Sequence, residues 1–179
     1  MSASGERVFV STYKGHRFFP LEPCIDDVDI EDIAHGLAYQ CRFNGQTTSF
    51  YSVAQHSLLV ASIVPEDLRL AALLHDAAEA YLGDIVKPLK LLVPQFSVIE
   101  KQVSAIISQC FAAPDLDHPR IKEADLVLLA TEKRDLMPNS VEPWSSIAGL
   151  TPLAERIVPY APERAKADFL AAWTVWRKC

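Results

Sequence analysis

The stretch LAALLHDAAEAYLGD, residues 70–84, constrains this chain more than any other. Its alanines and leucines recur at helical spacing, and helix formers fill it throughout. Yet His75 and Asp76 stand side by side within it, Glu79 follows, and Asp84 comes just past Gly83. In an apolar interior such groups cost several kcal/mol unless each finds a partner. A helix read straight through residues 65–82 puts Glu79 at i+3 from Asp76 and i+4 from His75, so the three overlook one spot. That spot is a candidate seat for a metal ion.

The surrounding periods say what the stretch is embedded in. RVFVSTYKGHRFF, residues 7–19, alternates β-branched and aromatic residues around Lys14-Gly15 and predicts a short hairpin, the one plausible strand material in the chain. From Asp29 onward the period is helical. DIEDIAHGLAYQ carries acids in its first turn, SVAQHSLLVASIV stops at Pro65, and PEDLRLAALLHDAAEAYL starts with proline and acids and stops at Gly83. A short piece, DIVKPLKLLV, precedes PQFSVIEKQVSAIISQCFAA, HPRIKEADLVLLATEKRDLM and, after a loop, PERAKADFLAAWTVWRK. No repeat or linker composition interrupts them. The expectation is an all-α helical bundle with a small N-terminal hairpin, forming a single domain over residues 1–179.

Composition narrows the function. With 179 residues, 50% of them hydrophobic and 22% charged, the chain has the balance of a soluble globular domain with a core of its own. A formal net charge of −6 and the lack of any Lys/Arg run argue against nucleic acid as a partner. No window approaches eighteen uninterrupted apolar residues, and the start, MSASGERVFV, has no leader pattern. The four cysteines, Cys24, Cys41, Cys110 and Cys179, form no Cys-x-x-Cys pair and read as reduced thiols. A soluble cytoplasmic protein without membrane partners is expected.

A metal needs further ligands, and two polar intruders on apolar helices supply them. His56 sits in SVAQHSLLVA and Asp125 in IKEADLVLLA, neither with a partner nearby in sequence. Two His and two Asp make a mixed nitrogen and oxygen shell for a divalent ion, zinc first, with cobalt, manganese or magnesium as alternatives. Such a shell leaves positions for water and for substrate oxygens.

The order His, His-Asp, Asp resembles that of the HD-domain metal-dependent phosphohydrolases. QHS, LLHDAAEAYLGD, KPLK and KEAD are similar to the corresponding stretches of their small 5′-deoxynucleotidase branch, over roughly residues 36–136. The resemblance implies that His56, His75, Asp76 and Asp125 ligate the metal, that Glu79 is the acid/base managing the attacking water, and that Asp84 holds a second water, the nucleoside or a further metal. Upstream, CRFNG places Arg42 and Phe43 where the bacterial deoxynucleotidases carry an Arg-Trp pair that contacts phosphate and sugar; here Phe43 stands in the tryptophan's place. Arg42 reads as a phosphate contact or a surface ion pair, and Phe43 as a stacking wall or a core aromatic. Lys90 joins them as a substrate-binding residue, or, like Lys87, is simply solvated. FYSVAQHS and LLATEKRDLMP resemble most a compact bacterial and phage group of this family that includes a dATP triphosphohydrolase.

That resemblance implies hydrolysis of dATP to deoxyadenosine and triphosphate by attack at the α-phosphorus. A 5′-deoxynucleotidase on monophosphates is the alternative within enzymes, and a non-catalytic nucleotide-sensing or scaffold module the alternative outside them. Family members assemble as dimers or hexamers, so a homo-oligomer is expected. His16, His35 and His118 have no place in the pattern. Glu132, Lys133, Arg134 and Asp135 read as a solvated helix face, with Arg134 able to reach a neighbouring subunit. Trp144, Trp173 and Trp176 read as core or interface anchors.

Overall fold

Asp29 opens the first long helix in the computed structural model, which describes residues 7–113, 115–138 and 142–177. Its carboxylate accepts the Glu31 backbone N–H at 2.7 Å, satisfying a donor that every helix start leaves open. Helix α1 then runs Ile30–Tyr39. Ser52 caps α2, Val53–Ile63, in the same way, accepting the Gln55 N–H at 3.1 Å. There follow α3, Arg69–Leu74, α4, Glu79–Leu82, and α5, Lys87–Leu92. Helices α6, Pro94–Cys110, α7, Pro119–Leu136, and α8, Pro162–Trp176, each begin at a proline, where the missing N–H costs nothing. The protein is mostly helical, as the periods predict. No described helix is long and apolar enough to cross a membrane.

The expected hairpin is present and short. Strand β1, Val10–Ser11, pairs antiparallel with β2, Arg17–Phe18, in the register Val10 to Phe18 and Ser11 to Arg17. It docks through Phe18, whose ring stacks on Tyr81 at 3.9 Å, and through Lys14, whose ammonium reaches Asp29 at 2.7 Å.

Residues 65–82 do not form the one helix that their composition predicts. A 3₁₀ turn at Glu66–Leu68 leads into α3, the chain tightens again over residues 75–78, and α4 ends at Gly83, whose φ of 92° few side chains could adopt. The interruption has a visible cause. The His75 ring Nδ1 lies 2.7 Å from the Ala72 carbonyl, the acceptor that a continuous α-helix would offer to the Asp76 N–H. The backbone turns to shorter bonds instead, with Ala77 N–H on Leu74 at 3.0 Å and Glu79 N–H on Asp76 at 2.9 Å. Residues three apart eclipse in such a turn, which aligns Glu79 with Asp76 more closely than an α-helix would.

Helix α2 lies at the centre, packed against α1, α3, α7 and α8. Around it the core gathers Ile33 and Leu37, Val60, Leu73 and Leu74, Val103 and Ile107, Leu128 and Phe169. Trp173 and Trp176 are partly buried against that core and serve it. Helices α1 and α4 meet at Gly36, where a Cβ would lie 3.0 Å from both the Cβ and the carbonyl oxygen of Ala80. Gly36→Ala is therefore expected to cost about 1–3 kcal/mol in denaturant unfolding, overriding alanine's better helix propensity. A variant as stable as the wild type would show that the two helices have room to part.

The irregular stretch after α7 is held by side chains. The Gln55 amide donates to the Val158 carbonyl at 2.9 Å and accepts the Tyr160 N–H at 3.2 Å. Asp135 accepts from both arms of Arg134 at 2.7 Å, from Arg156 at 2.8 Å and from the Ile157 N–H at 2.9 Å. Arg134, with Ile157 N–H and Arg156, keeps the Asp135 carboxyl well below the usual carboxylate range. This corrects the solvated reading of the charge run. Asp135 is all but buried, Glu132 fully so, and Arg134 is spent on Asp135 and the carbonyls of Leu153 and Glu155 within its own chain.

Candidate metal centre

Three parts of the fold deliver the four expected ligands to one place. Helix α2 brings His56, the turn between α3 and α4 brings His75 and Asp76, and α7 brings Asp125. One ligand atom each of His56, His75 and Asp125 lies within 4.8 Å of the others. Asp76 stands outside that trio but beside both of its histidines, its Oδ2 lying 3.2 Å from His75 Nε2 and 3.5 Å from His56 Nε2. Asp125 Oδ1 is 3.2 Å from His56 Nε2. Atoms bound about 2.0–2.2 Å from a common ion stand roughly 3–4.4 Å apart, so these separations suit a shared cation.

Both imidazoles have their far nitrogen occupied. His56 Nδ1 is 2.7 Å from Glu132 Oε1, and His75 Nδ1 is 2.7 Å from the Ala72 carbonyl. Each ring thus turns Nε2 inward, where neither makes a well-formed hydrogen bond and the nearest groups are carboxylates, Asp125 Oδ1 at 3.2 Å from His56 and Asp76 Oδ2 at 3.2 Å from His75. With the rings protonated these contacts are ion pairs; with the rings neutral, a divalent cation is a partner that suits two imidazole nitrogens and two carboxylates together.

The protein groups also set each other's charge. Burial and Arg42 both oppose protonation of His56, but Glu132 and Asp125 outweigh them and hold it up to about 10. Burial likewise works against ionising Asp76, and His75, His56 and Arg42 reverse that, keeping it well below the usual range. Glu79 goes the other way. Burial, then Asp76 and Asp84, push its carboxyl well above the ordinary value, against the smaller pull of Lys90 and Arg42.

A cavity of about 570 Å³ opens beside the cluster, walled by His75, Asp76, Glu79, Lys90 and Asp125 at this end. Lys90 is half-buried, donating to Glu79 Oε1 at 3.4 Å and to Glu100 Oε1 at 2.6 Å. The structure therefore brings Glu79 and Lys90 together beside the His/Asp cluster, while Lys87 stays exposed. Asp84 is partly buried outside the cavity wall; burial raises its pKa, Arg42 opposes that, and Asp76 adds to it. Arg42 is no surface ion pair. Only 11% of its side chain is exposed, and it faces Glu132 at 3.3 Å and Asp76 at 3.5 Å on the inner side of the cluster.

Phe43 is neither in the core nor on the cavity wall. It is half-buried with its ring 6.0 Å from that of Trp144, on a turn where Phe43 and Asn44 take positive φ values of 55° and 52°. His118 caps α7, accepting the Arg120 N–H at 3.1 Å, and His35 is stacked between Tyr13 and Tyr39. Cys24, Cys41 and Cys110 are free thiols, and Cys179 lies outside the described residues. Glu132 and Glu100 are the residues that sequence reading missed. For Glu132 a signal existed, since it follows Asp125 by seven residues and so shares its helix face.

No family model matches the chain. Over 176 residues it is 38% identical to the uncharacterized protein YfdR of Escherichia coli (strain K12), a match that covers 96% of this chain and 98% of that protein. Over 129 residues it is 41% identical to an uncharacterized protein of Rhodobacter capsulatus, covering 66% of each.

Proposed function

The chain belongs to the family of the Escherichia coli protein YfdR, and from its buried His/Asp cluster we propose that it is a metal-dependent HD-domain phosphohydrolase acting on deoxynucleotides, with dATP as first substrate. The observation that carries the reading is the convergence of two buried histidine Nε2 atoms on two carboxylates, Asp76 and Asp125, at the wall of a cavity of about 570 Å³. That volume lies within the range of small-molecule sites, roughly 300–1,000 Å³. The choice of deoxynucleotide follows the resemblance of residues 36–136 to the deoxynucleotidase branch.

His56, His75, Asp76 and Asp125 would hold the ion, zinc first, with cobalt, manganese or magnesium as alternatives. When bound it supplies a Lewis acid that makes water nucleophilic near neutral pH and offsets charge on the phosphate. The remaining chemistry belongs to the chain. Glu79, whose carboxyl burial, Asp76 and Asp84 push well above its ordinary value, is the group suited to give a proton to the oxygen that leaves phosphorus. Lys90, 3.4 Å from Glu79 Oε1, fixes that carboxyl and adds a positive charge to the cavity wall. Arg42 offers a planar fork suited to phosphate oxygens. Attack at the α-phosphorus with the nucleoside as leaving group releases triphosphate from dATP and orthophosphate from a monophosphate.

One observation favours the monophosphate. The cavity wall carries Asp76, Glu79, Glu100, Asp115, Asp117 and Asp125 against three lysines, Lys90, Lys101 and Lys122. Such a wall favours the substrate with fewer negative charges. Phosphorus NMR on purified protein with divalent metal and either dATP or dAMP separates the readings. Triphosphate from dATP is the expected product. Orthophosphate from dAMP alone makes the protein a 5′-deoxynucleotidase, and metal binding without turnover of either makes it a nucleotide-sensing module.

A further inference from the structure

Resting on the metal reading above, we infer that Glu132 is the positioning residue of this centre, a single buried carboxylate that aims His56 at the ion and holds Arg42 beside it. Glu132 is fully buried on α7. Its Oε1 lies 2.7 Å from His56 Nδ1 and 3.3 Å from Arg42 Nε, and its Oε2 lies 3.4 Å from Arg42 Nη2. A carboxylate so deep is held there by its partners, because alone it would cost several kcal/mol.

An imidazole offers one lone pair at a time. For Nε2 to face a cation, the ring proton has to sit on Nδ1, and an acceptor at Nδ1 is what keeps it there. His75 draws its acceptor from the backbone, at Ala72, which no substitution of that residue removes. His56 depends on a side chain, Glu132.

The same carboxylate anchors the guanidinium. Two of its nitrogens face Glu132, at 3.3 and 3.4 Å, and the third, Nη1, faces Asp76 at 3.5 Å. Glu132 thus ties the orientation of His56 to that of Arg42, and through Arg42 to that of Asp76.

Glu132→Gln tests this with little change in shape. Arg42 faces both Glu132 oxygens and His56 Nδ1 faces one of them, so an amide, with one acceptor and no charge, leaves a donor unmatched in either orientation. The variant therefore loses the strong acceptor that keeps the His56 proton on Nδ1. The measurements are zinc affinity by chelator competition and nitrogen NMR of histidine in the zinc-loaded wild type, with circular dichroism to check folding. The expected results are a proton on His56 Nδ1 in the wild type and zinc binding about 10–100-fold weaker in folded Glu132→Gln, the usual effect of losing such a partner. A His56 proton on Nε2 in the zinc-loaded wild type, or a folded variant within about twofold of wild-type affinity, overturns the inference and leaves the metal reading standing. If the variant fails to fold, the wild-type spectrum decides alone. Failure of the wild type to bind zinc overturns the metal reading itself.

Discussion

Asp125→Ala is expected to leave the helices in place and to weaken zinc binding by about 100-fold or more, since losing even an outer-shell partner costs about 10–100-fold. The variant isolates ligation from folding for a structural reason. Asp125 is the most accessible of the four ligands, with 37% of its side chain exposed, whereas His56 is fully buried against Glu132. Alanine suits the middle of α7, and Ile121, Ala124 and Leu128 continue to bury that helix without it. The loss falls on the cluster, where Asp125 supplies one of two carboxylates and stands 3.2 Å from His56 Nε2. Hydrolysis of dATP should fall at least as far as affinity when metal is limiting. A melting curve gives a second readout, because a ligand that binds only the folded state raises stability in proportion to ln(1 + [L]/Kd). Zinc should raise the midpoint of the wild type and leave that of the variant unmoved. Equal zinc affinity in the two proteins would remove Asp125 from the site.

The clustering of His56, His75, Asp76 and Asp125 was legible in the sequence because each member breaks a strong local pattern. His56 and Asp125 interrupt apolar helical faces, and His75-Asp76 interrupts a run of alanine and leucine. Such interruptions in a chain with a normal core are costly, so they point to a shared partner. The helices and the hairpin were legible for the same reason, their periods being strong and their caps and prolines well placed.

Glu132 was masked by its neighbours. Within the run Glu-Lys-Arg-Asp only its seven-residue spacing from Asp125 sets it apart, and it is the packing of α7 on α2 that puts Glu132 against His56. The break in residues 65–82 was hidden too, because every residue there favours a continuous helix. At the break a side chain sits on a backbone acceptor, His75 on Ala72, and propensity carries no information about that contact. The stretch after α7 owes its shape to Gln55 and Asp135, more than a hundred residues away for one and on the preceding helix for the other.

Glu79→Gln is the second large effect, expected to lower kcat by about 10²–10⁴-fold, the usual range for a lost general acid or base. Zinc affinity and nucleotide binding should remain near wild type, since Glu79 stands outside the four ligands and glutamine keeps its size. The substitution also carries a signature in the metal-free protein. Burial and the neighbouring Asp76 and Asp84 push the Glu79 carboxyl well above the ordinary range, whereas the unfolded chain loses that proton near the usual glutamate value of about 4.3. Above that pH the folded state binds more protons than the unfolded state, so this group makes stability fall as pH rises toward the folded pKa. Glutamine never ionises and removes that slope. Metal-free Glu79→Gln should therefore match the wild type in acid and be the more stable of the two at neutral pH. Slow turnover together with that crossover assigns Glu79 as the proton donor held neutral by its surroundings. Wild-type turnover in the variant would take the acid role from Glu79, and the same stability slope in both proteins would mean that its carboxyl is ionised in the folded state.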